Sequence, residues 1–155
     1  MAKEPDNISY KVVKIHTTRF SIEDMEEERL NEIVADNENP NLNIKIGISA
    51  QKEKSTVTFD ITSYFLSPED KTKPLVTHTA RTVFYIKNMK DFYEKETEKV
   101  NIPDPATVQF LGISFSHARA ALAIELSSTV YRDKYFLPVV DPLVLFNKLL
   151  DKKEA

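Results

Sequence analysis

Residues 116–146 read SHARAALAIELSSTVYRDKYFLPVVDPLVLF, an apolar helical pattern that breaks into a proline-rich extended piece. Apolar side chains including Leu122 and Leu126 recur at helical spacing, and Ile124 widens the apolar arc, so the pattern predicts a long helix over residues 115–130. A helix this apolar needs cover on more than one side. Because the chain's own sheet can cover only one, we expect a second subunit to cover the other.

A short final helix is predicted after the proline-rich piece. Asp141 is suited to the N-cap and Pro142 to the first helical position, where its missing N–H costs nothing. Lys148 and Lys152 follow toward the far end, where positive charge is favourable.

Four stretches before the long helix have strand character. Residues 42–51 show it most clearly, because isoleucines alternate with small or polar residues. Short connections join the last three strands, so the fold class is α+β, with a four-stranded antiparallel sheet packed against the long and the final helices. The acidic segment DMEEERLNEIVADNENPN predicts a crossover loop with one helical turn. The predicted strands are residues 10–23, 42–51, 55–66 and 75–86.

Composition bounds the class of protein. A chain of 155 residues that is 41% hydrophobic predicts one domain over residues 1–155, with flexible tails at 1–9 and 151–155. A formal net charge of −3 disfavours nucleic-acid binding. The chain contains no cysteine and begins MAKEPDNISY without an apolar run, which predicts a cytoplasmic protein with no membrane insertion.

No constellation of catalytic residues is visible. His16, His78 and His117 fall in three different predicted elements, with no carboxylate at a metal-ligand spacing. Ser116 beside His117 lacks the glycine of a nucleophile elbow, and two glycines in the whole chain cannot form a phosphate-binding loop. We therefore predict no catalytic residue, no metal, no cofactor and no enzymatic activity.

Three motifs, in this order, resemble the SecB family of export chaperones. The first strand contains KIHTTRFSIE, the long helix begins with Ala118-Arg119, and the ending runs LPVVDP through Leu145-Phe146. The resemblance covers residues 10–150. It departs from the family pattern at Ala120, which replaces a signature glutamate, and at His117, which replaces an aromatic residue.

The resemblance implies an assembly. Two protomers would join their sheets through the first strands, and two such dimers would pack through the long helices into a homotetramer. The interface residues implied are Val12, Val13, Ile15, Phe20, Phe115, Arg119, Leu122 and Leu126.

The resemblance also implies an ATP-independent chaperone that binds unfolded or nascent proteins in apolar grooves, for protein export. The alternatives are a SecB-like chaperone that serves an antitoxin and a non-enzymatic adaptor for one protein partner. The implied groove residues are Met25, Leu30, Ile33, Leu42, Tyr64, Phe65, Leu66, Tyr135, Phe136, Leu137, Val139, Leu143 and Phe146.

Docking to the SecA motor uses acidic residues on the sheet of the export chaperone. The corresponding positions here are Arg19, Glu23 and Thr77. Because only Glu23 is acidic, SecA is expected to be a poorly matched partner.

Overall fold

The computed structural model describes residues 7–36, 41–94 and 99–154. It contains four strands, three α-helices and a short 3-10 helix at Met89–Phe92. The strands and helices are β1 (Tyr10–Ile22), α1 (Glu27–Asp36), β2 (Asn41–Gln51), β3 (Thr56–Leu66), β4 (Pro74–Ile86), α2 (Asp104–Leu126) and α3 (Pro142–Glu154).

The four strands form one antiparallel sheet in the order β1-β4-β3-β2. This confirms the predicted α+β class and the meander of the last three strands, because alternating side chains and tight turns favour antiparallel neighbours. β1 and β2 are therefore the two edge strands. Two register shifts interrupt the pairing of β1 with β4, between Val12 and Lys14 and between Thr17 and Arg19.

Aromatic side chains join α2 to one face of the sheet. The Phe110 ring stacks on Phe84 with centroids 4.4 Å apart and meets Phe59 edge-on at 6.1 Å. Tyr10 of β1 contacts the same Phe110 ring at 4.6 Å. All of the three phenylalanine side chains are buried, so this cluster forms the centre of the core.

The helix α2 begins and ends earlier than predicted and is covered by its own chain. Phe115, Leu122 and Leu126 are 2%, 0% and 1% exposed within the single chain. They therefore have no surface to offer a second subunit, and their prediction as interface residues is wrong. The opposite side of α2 is lined by small residues, and there Ile124 is 71% exposed.

The segment between α2 and α3 is anchored at both ends. The Tyr131 hydroxyl donates a 2.8 Å hydrogen bond to the Glu23 carbonyl, and burial raises the pKa of Tyr131 to about 12. Arg119 on α2 donates from Nε and Nη2 to the Leu137 and Pro138 carbonyls, each at 3.2 Å. Arg119 therefore has an observed role inside the chain, and its role at a subunit interface stays a prediction.

The start of α3 agrees with the predicted cap. The Leu143 amide donates to Asp141 Oδ1 at 2.9 Å, and Pro142 opens the helix. Pro142 also packs on α2 at Gly112, where an added Cβ would come within 2.9 Å of the proline ring. Only glycine permits this approach of the two helices.

The acidic segment after β1 forms a full helix instead of one turn. Glu27 and Glu28 lie in the first turn of α1, where negative charge is favourable. Leu30 and Ile33, three residues apart, are 0% and 8% exposed, so one side of α1 joins the core.

The flexibility of the two tails stays a prediction, and the tail residues that the structure describes make regular contacts. The Ser9 amide donates to Asn88 Oδ1 at 2.9 Å, and Asn88 Nδ2 donates to the Asn7 carbonyl at 2.7 Å. The helix α3 continues to Glu154. The remainder of the predicted tails, residues 1–6 and Ala155, lies outside the described residues.

Two histidines form polar pairs on the helix-covered side of the sheet. His78 is 0% exposed, and its Nε2 lies 2.9 Å from Thr17 Oγ1. His117 of α2 pairs through Nδ1 with Thr82 Oγ1 at 3.1 Å. Burial lowers the pKa of both imidazoles, and for His78 the nearby Glu125 carboxylate acts in the opposite direction.

Because folding lowers the pKa of both histidines, the unfolded chain binds their protons at a higher pH than the folded chain does. The folded state therefore keeps its full stability above the ordinary pKa of 6.5 and loses stability as the pH falls from 6.5 through the lowered pKa values. We expect the free energy of unfolding in urea to fall as the pH is lowered from neutral through 6.5. The double variant His78→Gln/His117→Gln should show a shallower decline over this range. An unchanged decline would assign the effect to other groups.

Candidate functional site

An open apolar cavity of about 430 Å³ lies between β2, β3, the start of α2 and the end of α3. This volume is in the range of clefts that accept apolar ligand groups. Its floor is formed by the sheet and its walls by the two helices and the strand-like residues before α2. The lining residues are Ile46, Ile48, Ser49, Ala50, Val57, Phe59, Val100, Asn101, Ile102, Asp104, Thr107, Phe110, Phe146, Leu149 and Leu150.

The edge strand β2 explains why the cavity is open on one side. Its isoleucines alternate toward the helices, as its sequence predicts, but no further strand lies beyond them among the described residues. Ile48 is consequently 46% exposed, whereas Ile61 and Phe59 on the neighbouring β3 are each 1% exposed. The backbone amides on the outer side of an edge strand can pair with another chain.

The helix α3 contributes the second apolar wall. Phe146, Leu149 and Leu150 share one side of the helix through their spacing of three and four residues. Phe146 is buried, and Leu150 is 39% exposed. The wall therefore passes from the core into the open part of the cavity.

The cavity also has polar lining residues. They are Ser49, Asn101, Asp104 and Thr107, and the Thr107 hydroxyl donates to the Pro103 carbonyl at 3.2 Å. Thr107 is thus engaged within the helix start. No group of three or more His, Asp or Glu residues suited to a metal ion occurs within the ranges that the structure describes.

A second exposed apolar surface follows the segment between α2 and α3. Phe136 is 52% exposed, Val139 86% and Leu143 53%. These three were predicted to line the groove, and the structure places them where another molecule can reach them. Arg119 holds the segment that presents Phe136 and Val139 by bonding the Leu137 and Pro138 carbonyls.

Other predicted groove residues are part of the core. The rings of Phe65 and Tyr135 stack with centroids 4.8 Å apart, and Tyr135 stacks in turn on Tyr131 at 5.9 Å. Side chains so covered cannot contact a partner unless the chain rearranges, so their prediction as an open groove surface is wrong. The predicted groove residues buried in this way are Leu30, Ile33, Phe65, Tyr135 and Leu137. Phe146 is also buried, but it lines the cavity.

Of the remaining predicted groove residues, three lie partly exposed near the sheet ends. Met25 and Leu42 pack against the core, and Leu66 is half-buried at the end of β3. Tyr64 is paired in register with Thr77 and, on the other side, with Asn43. By the alternation of β3, Tyr64 therefore points to the opposite side of the sheet from Phe65.

Sequence reasoning missed most of the cavity. Ile46, Ile48, Leu149 and Leu150 were not predicted as site residues, although the alternation in β2 and the spacing in α3 were visible. These two patterns are the only signals in the sequence that point to the cavity, because the position of β2 at the edge of the sheet is set by tertiary packing.

The predicted interface on β1 remains a prediction. Val12, Val13 and Ile15 are 38%, 48% and 48% exposed on this edge strand, whereas Phe20 is half-buried and meets the His78 ring at 6.3 Å. An apolar edge strand of this kind can pair with a second copy.

The predicted SecA-docking residues do not form an acidic surface. Thr77 is 2% exposed, so its prediction as a docking residue is wrong. Glu23 is engaged by Lys73, with Oε1 and Nζ 2.9 Å apart. Arg19 is exposed and carries the opposite charge.

Among solved structures, the chain is similar to the SecB-like chaperone of Mycobacterium tuberculosis in complex with a ChAD peptide from the HigA1 antitoxin. The TM-score is 0.51, over 84% of this chain and 87% of that chain. The fold is SecB-like. Sequence identity is 10%, so the likeness concerns the fold alone. No family model matches the chain, and no curated protein is similar to it in sequence.

Proposed function

We propose that this protein is an ATP-independent chaperone that holds unfolded polypeptide at the cavity between β2 and α3. The observation that carries the proposal is an open apolar cavity of about 430 Å³ beside the edge strand β2, whose outer side pairs with no other strand of the described residues. Apolar clefts of this kind accept exposed apolar side chains. A folded protein has already buried those side chains, so the site selects non-native chains.

Two kinds of contact would hold a client. An extended client segment pairs its backbone with the free edge of β2, and every second side chain then points toward the helices. These side chains enter the cavity between Ile48 and Leu150. The exposed side chains of Phe136, Val139 and Leu143 provide a further apolar surface for a longer client.

Such binding needs no nucleotide. A protein that binds the unfolded state lowers the concentration of free unfolded chains by mass action, and this alone suppresses aggregation. The energy comes from the burial of apolar area, at about 25 cal/mol per Å². Release follows when the client folds or is taken up by a tighter partner.

A second candidate is a chaperone dedicated to one protein segment. The structurally similar Mycobacterium tuberculosis protein was solved with a peptide from an antitoxin, which favours this alternative. Under it, an antitoxin-like tail would occupy the same cavity, and export through SecA would not be involved. The absence of an acidic pair at Arg19 and Thr77 agrees with this view.

We further propose that the single domain assembles through β1. Pairing of two β1 edges would cover Val12, Val13 and Ile15 and extend the sheet across both copies. A tetramer would then require the outer side of α2, where Ile124 is exposed, and not its buried residues.

The test is aggregation of a chemically denatured protein on dilution, without ATP, in the presence of stoichiometric amounts of this chain. We expect suppression by the native sequence and its loss in Ile48→Asp/Leu150→Asp, because two carboxylates would make the cavity polar. The matched control is Asn147→Asp/Lys148→Asp, which adds two carboxylates at exposed positions of α3 that do not line the cavity.

Circular dichroism and urea unfolding of each variant separate loss of binding from loss of fold. Suppression that survives the cavity variant would contradict the assigned site. No suppression of several clients, together with saturable binding of one peptide, would favour the dedicated chaperone.

A further inference from the structure

The sheet has a second face, opposite the one that α2 covers. Phe110 marks the covered face through its contacts with Phe59 and Phe84. Side chains alternate between the faces, and the strand register fixes which residues share the second one. We call this the open face. Up to Arg19 it is formed by Lys11, Lys14, His16 and Arg19 of β1, Thr79, Arg81, Val83 and Tyr85 of β4, Thr56, Thr58, Asp60 and Thr62 of β3, and Lys45, Gly47, Ser49 and Gln51 of β2. Beyond Arg19 the same face continues through Ser21, Thr77, Tyr64 and Asn43, where Thr77 is buried.

Charge is distributed unevenly between the two faces. Every lysine and arginine of the four strands lies on the open face, and the strands contain a single carboxylate, that of Asp60. The whole chain, in contrast, has a formal net charge of −3. The sheet therefore presents a basic surface on an acidic protein.

Asp60 neutralises only one of the cations on this surface, that of Arg81. Arg81 donates from Nε to Asp60 Oδ1 at 2.8 Å and from Nη2 to Asp60 Oδ2 at 2.9 Å. This bidentate pair leaves four exposed or accessible cations on the two edge strands. They are Lys11, Lys14, Arg19 and Lys45.

The cations stand apart from one another across the sheet. Arg19, Thr79, Thr62 and Lys45 form one row in register, and the two threonine hydroxyls in its middle are hydrogen-bonded at 2.8 Å. Three strand spacings separate the ends of the row, about 14 Å. Lys11 lies over the Tyr85 ring, 5.7 Å from its centroid, on the same face.

We infer that the open face docks an acidic segment of another protein. Cations of one sign on a flat surface attract a partner of the opposite sign and set its orientation. Neutral threonines separate the cations, which suits carboxylates spaced along a polypeptide. A nucleic acid, with a phosphate every few ångströms, would leave most of its charges unmatched on this surface. This inference is independent of the proposed chaperone cavity.

The first experiment uses a fluorescein-labelled peptide of alternating glutamate and serine and measures its binding to the intact protein by anisotropy. We expect saturable binding that weakens as the ionic strength is raised from low to physiological. Lys14→Glu/Arg19→Glu should weaken binding by about tenfold or more, because two attractive charges become repulsive. Lys45→Glu, on the opposite edge strand, should weaken it by several-fold.

The matched control is Lys90→Glu/Arg132→Glu, which makes the same charge change outside the sheet and should leave binding unchanged. Equal weakening in this control would overturn the inference, as would equal binding of a glutamine–serine peptide. So would an oligodeoxynucleotide that binds as tightly, which would assign the face to nucleic acid. Sedimentation of the protein alone completes the test, because an oligomer broken by Lys14→Glu/Arg19→Glu, without peptide binding, would assign the face to a second copy.

Discussion

Leu122→Ala lowers the free energy of unfolding by about 2–5 kcal/mol, the range for large-to-small changes in a closed core. Leu122 is 0% exposed in the single chain, where α2 packs on the sheet. The loss arises inside one protomer, so it should not depend on protein concentration. Urea unfolding monitored by circular dichroism at two widely separated protein concentrations measures both quantities.

Ile124 provides the matched control two residues further along α2. It is 71% exposed, so Ile124→Ala should change the free energy of unfolding by less than about 0.5 kcal/mol. Its effect, if any, should appear in the oligomeric state measured by sedimentation. A concentration-dependent loss in Leu122→Ala would instead restore Leu122 to a subunit interface and contradict the packing seen here.

The strands could be predicted from the sequence to within one or two residues because alternation is a direct consequence of strand geometry. Each isoleucine of β2 and each aromatic or β-branched residue of β3 returns to the same face after two residues. The turns between the last three strands are short, which leaves an antiparallel arrangement as the simple solution.

The helices were harder to bound. Residues 101–105 read NIPDP, which resembles a turn, yet α2 starts there because Pro105 occupies the first helical turn, where a missing N–H costs nothing. The acidic composition around α1 predicts a loop with only one helical turn, because it obscures the short apolar side formed by Leu30 and Ile33. For both α1 and the start of α2, the turn-like or acidic composition points away from a helix, although the spacing of the apolar residues fits one.

Alanine explains why α2 looks apolar on all sides in the sequence. Ala118 is 0% exposed, whereas Ala120 and Ala123 on the same helix are exposed. Alanine counts as apolar in a pattern, but its small side chain is tolerated at either kind of position. The apolar pattern of an alanine-rich helix is therefore also compatible with an outer side that is open to water in the single chain, and cover by a second subunit stays a prediction.

The candidate site could be predicted only in part, because exposure depends on which strand forms the edge of the sheet. Ile48 and Phe59 are paired in register, yet one is 46% exposed and the other 1%. Strand order is set by tertiary packing and not by the local pattern of β2. Tertiary packing also decides the exposure of Phe65. The sequence predicts it in an open groove, but the Tyr135 ring covers it.

Tyr135 and Phe136 are adjacent in the chain and offer a second test with opposite expectations. Tyr135 is 7% exposed and stacks on Phe65 and Tyr131, so Tyr135→Ala should lower the free energy of unfolding by about 3–5 kcal/mol, as for other buried aromatic residues. Urea unfolding measures the loss. Client binding by the native sequence and by Tyr135→Ala is then compared only under conditions where both of these chains remain folded.

Phe136 is 52% exposed, and Phe136→Ala should change stability by less than about 0.5 kcal/mol. If the exposed apolar surface around it contacts clients, the same variant weakens the binding of a labelled denatured protein, because a large apolar contact is removed. Weaker binding together with unchanged stability would place Phe136 on the client surface. The reverse pattern, a stability loss in Phe136→Ala and none in Tyr135→Ala, would mean that the segment between α2 and α3 is turned the other way. Arg119 holds this segment in the observed orientation through the Leu137 and Pro138 carbonyls. Such a result would therefore also contradict those two hydrogen bonds.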